Sequence, residues 1–281
     1  MHNIKLIAFD LDNTLLTTKK EVTPETLRVL ALAAHLGIEI VPVTGRAWGA
    51  VPPIVKAMNF VHYAVTLNGA EIVDVKNSKT IHEALMPVEL GITLCHVLDG
   101  LGVVYDCIAG GQRYMRRENY DRIESISDGE WQTNIIRGSS LPVDDIEAAI
   151  AGTNGIQKMQ IYTKDKALRE KLLSAMPVVF PHALFTSSVP NNIEINDPKA
   201  NKGEGLRFIA GHLGLPMTAT MAFGDGLNDL EMIRVAGIGV AMGNACNELL
   251  EVADHVTSDC EHDGVAEGIK TFCVGVDDDA D

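Results

Sequence analysis

Ile4-Lys5-Leu6-Ile7-Ala8-Phe9-Asp10-Leu11-Asp12-Asn13-Thr14 is the stretch on which the reading of this chain turns. An apolar run broken only by Lys5 closes on two aspartates; it is too short for a membrane-spanning helix and lacks a signal-peptide cleavage region. Ile4 to Phe9 therefore reads as a buried strand. Alternation along a strand puts residues i and i+2 on one side, so the Asp10 and Asp12 carboxylates are expected to converge at its carboxyl end. In open α/β sheets that edge is where ligands bind. Two carboxylates in one crevice repel unless a cation or a proton lies between them, and a hard dication with oxygen ligands, Mg²⁺, meets the need. A DxD met at random more often caps a turn or a helix; its place after a buried strand weighs toward function.

Outward from this stretch, Thr23-Pro24-Glu25 supplies a helix N-cap with Pro at the first helical position, and Leu27, Leu30, Ala31 and Ala34 continue one face until Gly37. Ile38 to Val43 is a second apolar strand closing on Thr44-Gly45-Arg46, and Tyr63 to Leu67 a third closing on Asn68-Gly69. Short β-branched runs alternating with amphipathic windows predict an α/β fold, a doubly wound parallel sheet covered by helices on both faces. From Leu85 the segments become amphipathic. Helices are expected near 87–99, 142–151 and 165–176, with strands near 102–108, 156–163 and 178–186, as in a small α+β insert whose sheet has one exposed face. Apolar strands return at Thr220 to Phe223 and Ile238 to Ala241. The expected division is a discontinuous core, 1–84 and 191–281, around an insert at 85–190, with a frayed acidic tail from Val276 to Asp281.

Three more blocks carry chemistry. Gly224-Asp225-Gly226-Leu227-Asn228-Asp229 follows an apolar strand; its glycines permit a sharp turn and close approach to a ligand. Asp225 completes a metal shell with Asp10, and Asn228 and Asp229 open the next helix, placed to hold coordinating waters. Alone, this block reads equally well as an Asx turn with a helix N-cap. Two carboxylate clusters at strand ends of one sheet make coincidence far less reasonable. Thr44-Gly45-Arg46 offers a hydroxyl, backbone N–H groups and a guanidinium to an anion. Lys202, just ahead of an amphipathic helix, offers an ammonium to offset phosphate and aspartate charge, with Lys199 competing for the role.

The bulk numbers bound the function. The chain has 281 residues, 46% of them hydrophobic and 22% charged, and a formal net charge of −15. That composition is ordinary for a folded globular protein, and the field repels nucleic-acid phosphates and anionic lipid surfaces. Lys19-Lys20 and Arg116-Arg117 are too short to make a basic patch. The five cysteines, Cys95, Cys107, Cys246, Cys260 and Cys273, show neither CxxC pairs nor zinc spacing, which suits reduced thiols in a cytoplasm.

Taken in order, DxDxT at Asp10, a strand-end Thr44, Lys202 and GDxxND at Gly224 resemble the four motifs of the haloacid-dehalogenase-like (HAD) superfamily. The tail resembles its Cof-like subgroup, through Met232, Ala241-Met242-Gly243-Asn244-Ala245 and Asp263-Gly264-Val265. The insert lies where that family carries a C2-type cap. Asn13 stands where many relatives have Gly, and the segment before Lys202 lacks the usual glycine-valine pair.

The resemblance implies a Mg²⁺-dependent phosphatase of small phosphorylated metabolites, sugar phosphates or phosphorylated cofactors such as pyridoxal phosphate and flavin mononucleotide. In that reading Asp10 attacks phosphorus and forms an aspartyl-phosphate, and Asp12 is the general acid and base. Mg²⁺ is held by Asp10, Asp225 and the Asp12 carbonyl, and Thr44 and Lys202 grip the transferring group. Leu11, Gly45, Arg46, Asn68, Gly69 and Asn228 are the candidate phosphate- and substrate-binding residues. Asp at position 12, where P-type ATPases have Thr and phosphonatases Ala, implies a phosphatase or a sugar phosphomutase. The insert is expected to close over the site. Arg113, Tyr114, Arg116 and Arg117 are its candidate substrate contacts, or else a charged exposed strand edge. A noncatalytic phosphate-binding regulatory protein is the rival class, and the chain is expected to be a monomer or homodimer.

Overall fold

Leu6 to Phe9 is a strand in which every residue is buried, because helices cover it from both sides. The computed structural model describes residues 3–127 and 129–273. The expectation of a frayed tail from Val276 to Asp281 falls outside them. The chain divides into two compact units, Met1–His82 with Asn201–Asp281, and Glu83–Ala200.

The first unit opens with β1 (Leu6–Phe9), α1 (Pro24–His35), β2 (Glu39–Pro42), α2 (Pro53–Lys56), β3 (Tyr63–Thr66), β4 (Glu71–Asp74) and β5 (Lys79–Glu83). The second runs α3 (Val88–Leu101), β6 (Val104–Ala109), β7 (Gln112–Arg116), α4 (Arg117–Ile126), α5 (Gly129–Ser139), β8 (Ser140–Val143), α6 (Ile146–Ala151), β9 (Ile156–Tyr162), α7 (Lys166–Val179), β10 (Leu184–Thr186) and β11 (Asn192–Asn196). The first unit then resumes with α8 (Lys202–His212), β12 (Thr220–Gly224), α9 (Leu230–Val235), β13 (Ile238–Ala241), α10 (Asn247–Leu250), β14 (His255–Val256) and α11 (Gly264–Phe272).

The core sheet has the order β14-β13-β12-β1-β2, parallel at every pair. Alternate residues feed two layers: Ile7, Phe9, Ile40, Met221, Phe223 and Val240 pack with α1 and α11 residues, while Leu6, Ala8, Val41, Ala222 and Ala241 pack with α8 and α9. This is the doubly wound sheet that the sequence predicts. Each fully buried side chain such as Phe9 or Ile40 contributes about 1.5–3 kcal/mol by leaving water. The α1 helix starts where expected: the Thr23 hydroxyl accepts the Thr26 N–H at 3.2 Å, Pro24 takes the first turn, and Gly37 turns the chain at φ +80°. Tyr63–Thr66 joins β4 and β5 in a separate three-stranded sheet, meeting the core strands through a single parallel bridge from Val65 to Val43.

In the second unit the sheet order is β10-β11-β9-β6-β7-β8, antiparallel except between β7 and β8. Three expectations are corrected. The run 178–186 is not one strand: Val178 and Val179 form the last turn of α7, exposed at 80% and 65%, and only Leu184–Thr186 pairs. A β-branched apolar run looks like a strand wherever it lies. The sheet has no freely exposed face. Tyr105, Cys107, Met159 and Ile161 pack on one side with residues of α3, α6 and α7, while on the other Val104, Met115 and Tyr162 pack with Ile123 of α4 and Ile136 of α5. Lys158 and Glu194, both buried, are paired with each other. Finally, Arg113 to Arg116 is not a sheet edge, because β8 lies beyond β7.

All five cysteines are free thiols. Among the described residues no helix is long and apolar enough to cross a membrane.

Candidate active site

Three neighbouring strands bring the expected residues together. Phe9 of β1 lies beside Phe223 of β12 on one side and Pro42 of β2 on the other, so the chain leaving each strand emerges at the same sheet edge. Asp10 follows β1 at once, its N–H bonded to the Phe223 carbonyl at 3.0 Å. Asp225 follows β12, and Thr44 leaves β2 with its N–H on the Val65 carbonyl at 2.8 Å. Lys202 arrives separately as the first residue of α8, behind the Asn201 N-cap whose side chain accepts the Glu204 N–H at 2.9 Å.

Carboxylate oxygens of Asp10, Asp225 and Asp229 lie within 4.8 Å of one another. The Lys202 ammonium, with no exposure, reaches Asp10 Oδ1 at 2.5 Å and Asp229 Oδ1 at 2.6 Å. Two buried carboxylates and the half-buried Asp225 thus crowd one ammonium. Asp229 is engaged on both oxygens, since Oδ2 accepts the Asp225 and Gly226 N–H groups at 3.0 and 2.9 Å. Gly224 is required here, because a Cβ on it would lie 2.5 Å from the Asp229 Cβ. Thr14 donates its hydroxyl to Asp225 Oδ1 at 2.9 Å. Asp10 Oδ2 and Asp225 Oδ2 receive no hydrogen bond among the described residues.

The electrostatics follow from this crowding. Burial pushes the Asp10 carboxyl well above its usual range; Lys202 opposes this, and the charges of Asp229, Asp225 and Asp12 reinforce it. Burial, then the Asp229 charge, pushes Asp225 up to about 7. Burial disfavours the Lys202 ammonium, yet Asp10 and Asp229 together hold its proton more tightly than in an ordinary lysine. The site therefore lacks positive charge, and its free donor atoms are hard carboxylate oxygens. A small dication such as Mg²⁺ fits that donor set.

Asp12 departs from expectation. Its carboxylate does not converge with that of Asp10: Arg46 grips it from Nε at 2.7 Å and Nη2 at 2.6 Å, and Lys20 adds a contact at 2.8 Å. The two-residue alternation fails because β1 ends at Phe9; beyond it the chain turns, with Asn13 at φ +60° and the Leu15 N–H bonded back to the Asp10 carbonyl. Burial works against ionisation of Asp12, but the Arg46 hydrogen bonds and charge, with Lys20, bring it down to about 2.

The remaining candidates fall in several places. Thr44 is buried, with its Oγ1 accepting the Arg46 N–H at 3.2 Å across Gly45. Arg46 also reaches the Ala50 carbonyl at 3.1 Å. The Asn228 amide donates to Asn68 Oδ1 at 3.2 Å, and Gly69 sits against Asn201. Leu11 is a core side chain whose carbonyl is taken by the Leu16 N–H at 2.8 Å. Of the two competing lysines, Lys202 is the buried one; Lys199 is exposed, in a turn where its N–H bonds Asp197.

The four second-unit candidates have partners or packing within their own unit. Arg113 bonds Asp106 at 2.9 Å and the Tyr162 hydroxyl at 3.0 Å. Arg116 pairs with Asp99 at 2.8 Å and Glu147 at 2.5 Å, Arg117 with Asp144 at 2.8 Å, and Tyr114 packs on the hydrophobic cluster. Sequence reasoning missed Lys20, the Thr14 hydroxyl and Asn244, whose amide holds the Asn13 carbonyl at 2.9 Å and the Cys260 N–H at 3.0 Å. Thr14, as the last residue of the DxDxT block, and Asn244, within Ala241-Met242-Gly243-Asn244-Ala245, carried a local signal; Lys20 did not.

The chain is similar to known proteins over nearly its whole length. The chain is 30% identical to the phosphatase YwpJ of Bacillus subtilis over 95% of its own length and 99% of the relative's. It is 29% identical to the 5-amino-6-(5-phospho-D-ribitylamino)uracil phosphatase YcsE of the same organism, over 95% of each chain. A solved haloacid dehalogenase-like hydrolase from B. subtilis superposes with a TM-score of 0.79 at 29% identity, covering 95% of this chain and 99% of the other. The family model for haloacid dehalogenase-like hydrolases matches residues 7–269, nearly the whole sequence, and the chain belongs to that family.

Proposed function

We propose that this protein is a Mg²⁺-dependent phosphatase that hydrolyses a small phosphorylated metabolite through an aspartyl-phosphate on Asp10. The observation that carries the reading is the cluster of buried Asp10 and Asp229 with half-buried Asp225 around Lys202, one oxygen each of Asp10 and Asp225 receiving no hydrogen bond among the described residues. The relatives named as phosphatases support the same class, and the YcsE name supports a small-molecule ester as substrate.

Asp10 and Asp225, with the Asp12 main-chain carbonyl, would hold the ion, while Asp229 is spent on Lys202 and the Asp225 and Gly226 N–H groups. The ion supplies the positive charge that offsets repulsion between an anionic nucleophile and a phosphate dianion. An Asp10 oxygen attacks phosphorus in line, and the bond from phosphorus to the ester oxygen breaks as Asp12 protonates that oxygen. Water then attacks phospho-Asp10, Asp12 takes its proton, the bond to Asp10 breaks and phosphate leaves. Thr44 and Lys202 hold the transferring group. In its grip by Arg46 and Lys20, Asp12 is in its ionised form, the form needed for the second step. The first step requires it to leave that grip and take up a proton. The five free thiols support work in a reducing compartment such as the cytoplasm.

The test is phosphate release from p-nitrophenyl phosphate and a panel of phosphorylated metabolites, with Mg²⁺ and with chelator. Asp10→Asn should abolish turnover, since an amide is a poor nucleophile and a poor ligand. Borohydride reduction of the acyl phosphate, with phosphate leaving, should convert residue 10 to homoserine in the turning-over native enzyme alone. Activity of the variant within tenfold of native defeats the proposal, and isomer interconversion without phosphate release replaces it with a mutase.

A further inference from the structure

Leu67, Asn68 and Gly69 run through three consecutive left-handed conformations, at φ +52°, +60° and +100°. That region is unfavourable for a residue with a Cβ, most of all for Leu, and persists only where surrounding contacts hold it. Here they do. The Leu67 N–H bonds the Arg46 carbonyl and the Asn68 N–H bonds the Thr44 carbonyl, each at 3.0 Å. Asn68 Oδ1 accepts the Asn228 side-chain amide at 3.2 Å. A Cβ on Gly69 would stand 2.5 Å from the Asn201 carbonyl oxygen, so the N-cap of the Lys202 helix can seat here only against glycine. One short turn thus touches the loop of Thr44, the loop of Asn228 and the helix start that delivers Lys202. Leu67 and Asn68 are themselves almost wholly buried.

We propose that the Leu67-Asn68-Gly69 turn is a positioning element that sets the spacing of the three phosphate-facing segments, with Asn68 acting through Asn228. The proposal rests on the phosphoryl-transfer reading for its purpose. The hydrogen bonds and close approach named above run to Thr44, Arg46, Asn201 and Asn228, and none of these ends on an Asp10, Asp225 or Asp229 carboxylate. Disturbing the turn therefore alters phosphate binding and turnover while leaving cation binding alone.

Asn68→Gly is the informative variant: glycine keeps the left-handed backbone without strain and deletes only the amide link. Its melting temperature should stay within about 4 °C of native, because relief of the left-handed backbone at position 68 offsets part of the stability lost with one buried hydrogen bond. Calorimetric affinity for inorganic phosphate with Mg²⁺ saturating should weaken, and kcat should fall about 10- to 100-fold, the usual cost of a small misplacement of reacting groups. Affinity for Mg²⁺ alone should stay within about twofold, since the deleted Asn68–Asn228 bond does not end on any of the three carboxylates. Gly69→Ala, which displaces the start of the Lys202 helix itself, should weaken phosphate affinity further and lower the melting temperature. Native phosphate affinity and kcat in Asn68→Gly overturn the proposal. So does a raised KM at unchanged kcat, which marks a substrate contact, or a parallel loss of Mg²⁺ affinity, which marks general damage. If the native chain releases phosphate from no ester, the phosphatase reading fails, and inorganic-phosphate affinity still decides the role of the turn.

Discussion

Asp225→Asn should stabilise the metal-free protein above neutral pH while removing its response to Mg²⁺. Burial and the Asp229 charge push the Asp225 carboxyl from 3.8 to about 7. At about 1.4 kcal/mol per pH unit, keeping it ionised in the folded state costs about 4 kcal/mol. The folded pKa is raised, so its favourable contribution is complete below about pH 4 and is lost as pH rises through about 7. Asn escapes that loss and still accepts the Thr14 hydroxyl, but burying the amide returns on the order of 1–2 kcal/mol. The expected gain is about 2–3 kcal/mol at pH 8, crossing zero near pH 5 and becoming a loss of about 1–2 kcal/mol near pH 4. The chain has two tryptophans, and Trp48 packs on the core cluster, so urea unfolding followed by Trp48 fluorescence in a Trp131→Phe background reports the right unit. With chelator, the variant should be the more stable at pH 8. With Mg²⁺ well above its dissociation constant, only the parent should gain stability, by about 2.7 kcal/mol at a hundredfold excess. A variant less stable than its parent at pH 8 without metal, or a difference that is flat from pH 5 to 8, refutes the electrostatic argument.

Arg46→Ala frees Asp12 from the partner that brings it to about 2, so its pKa rises; because Asp12 must be protonated in the first step, the alkaline limb of the pH profile of kcat/KM should move upward by about one unit. An unmoved limb means that Asp12 does not govern it. Lys158→Met leaves Glu194 buried without its cation and should destabilise the second unit by about 3–5 kcal/mol. Hydrogen exchange should quicken in β6, β9 and β11 with β1 and β12 unchanged, and uniform quickening throughout contradicts this.

The fold was legible because its signals are local. An apolar run as short as Leu6–Phe9, closed by a turn and followed by a helical window, reads as a buried parallel strand, and the Thr23 cap and the Gly37 stop act within one turn of α1. The second unit was harder to read, since α4, α5 and β8 are polar or mixed segments whose pairing depends on distant partners. At the site, Asp10, Thr44, Lys202 and Asp225 were identifiable by what precedes them in the chain. Where Asp12 points was not, because the strand rule expires at Phe9 and Arg46 lies 34 residues further on. The place of Asp229 between Lys202 and the Asp225 N–H was equally hidden.

The sequence by itself determined which side chains could serve: acids after β1 and β12, a hydroxyl after β2, a lysine opening α8. Only the tertiary structure decided which charges meet. Strand order sets β1 between β12 and β2, and burial at that edge turns separate aspartates into one strained cluster short of positive charge. Proximity across hundreds of residues is a property of packing, and no local pattern encodes it.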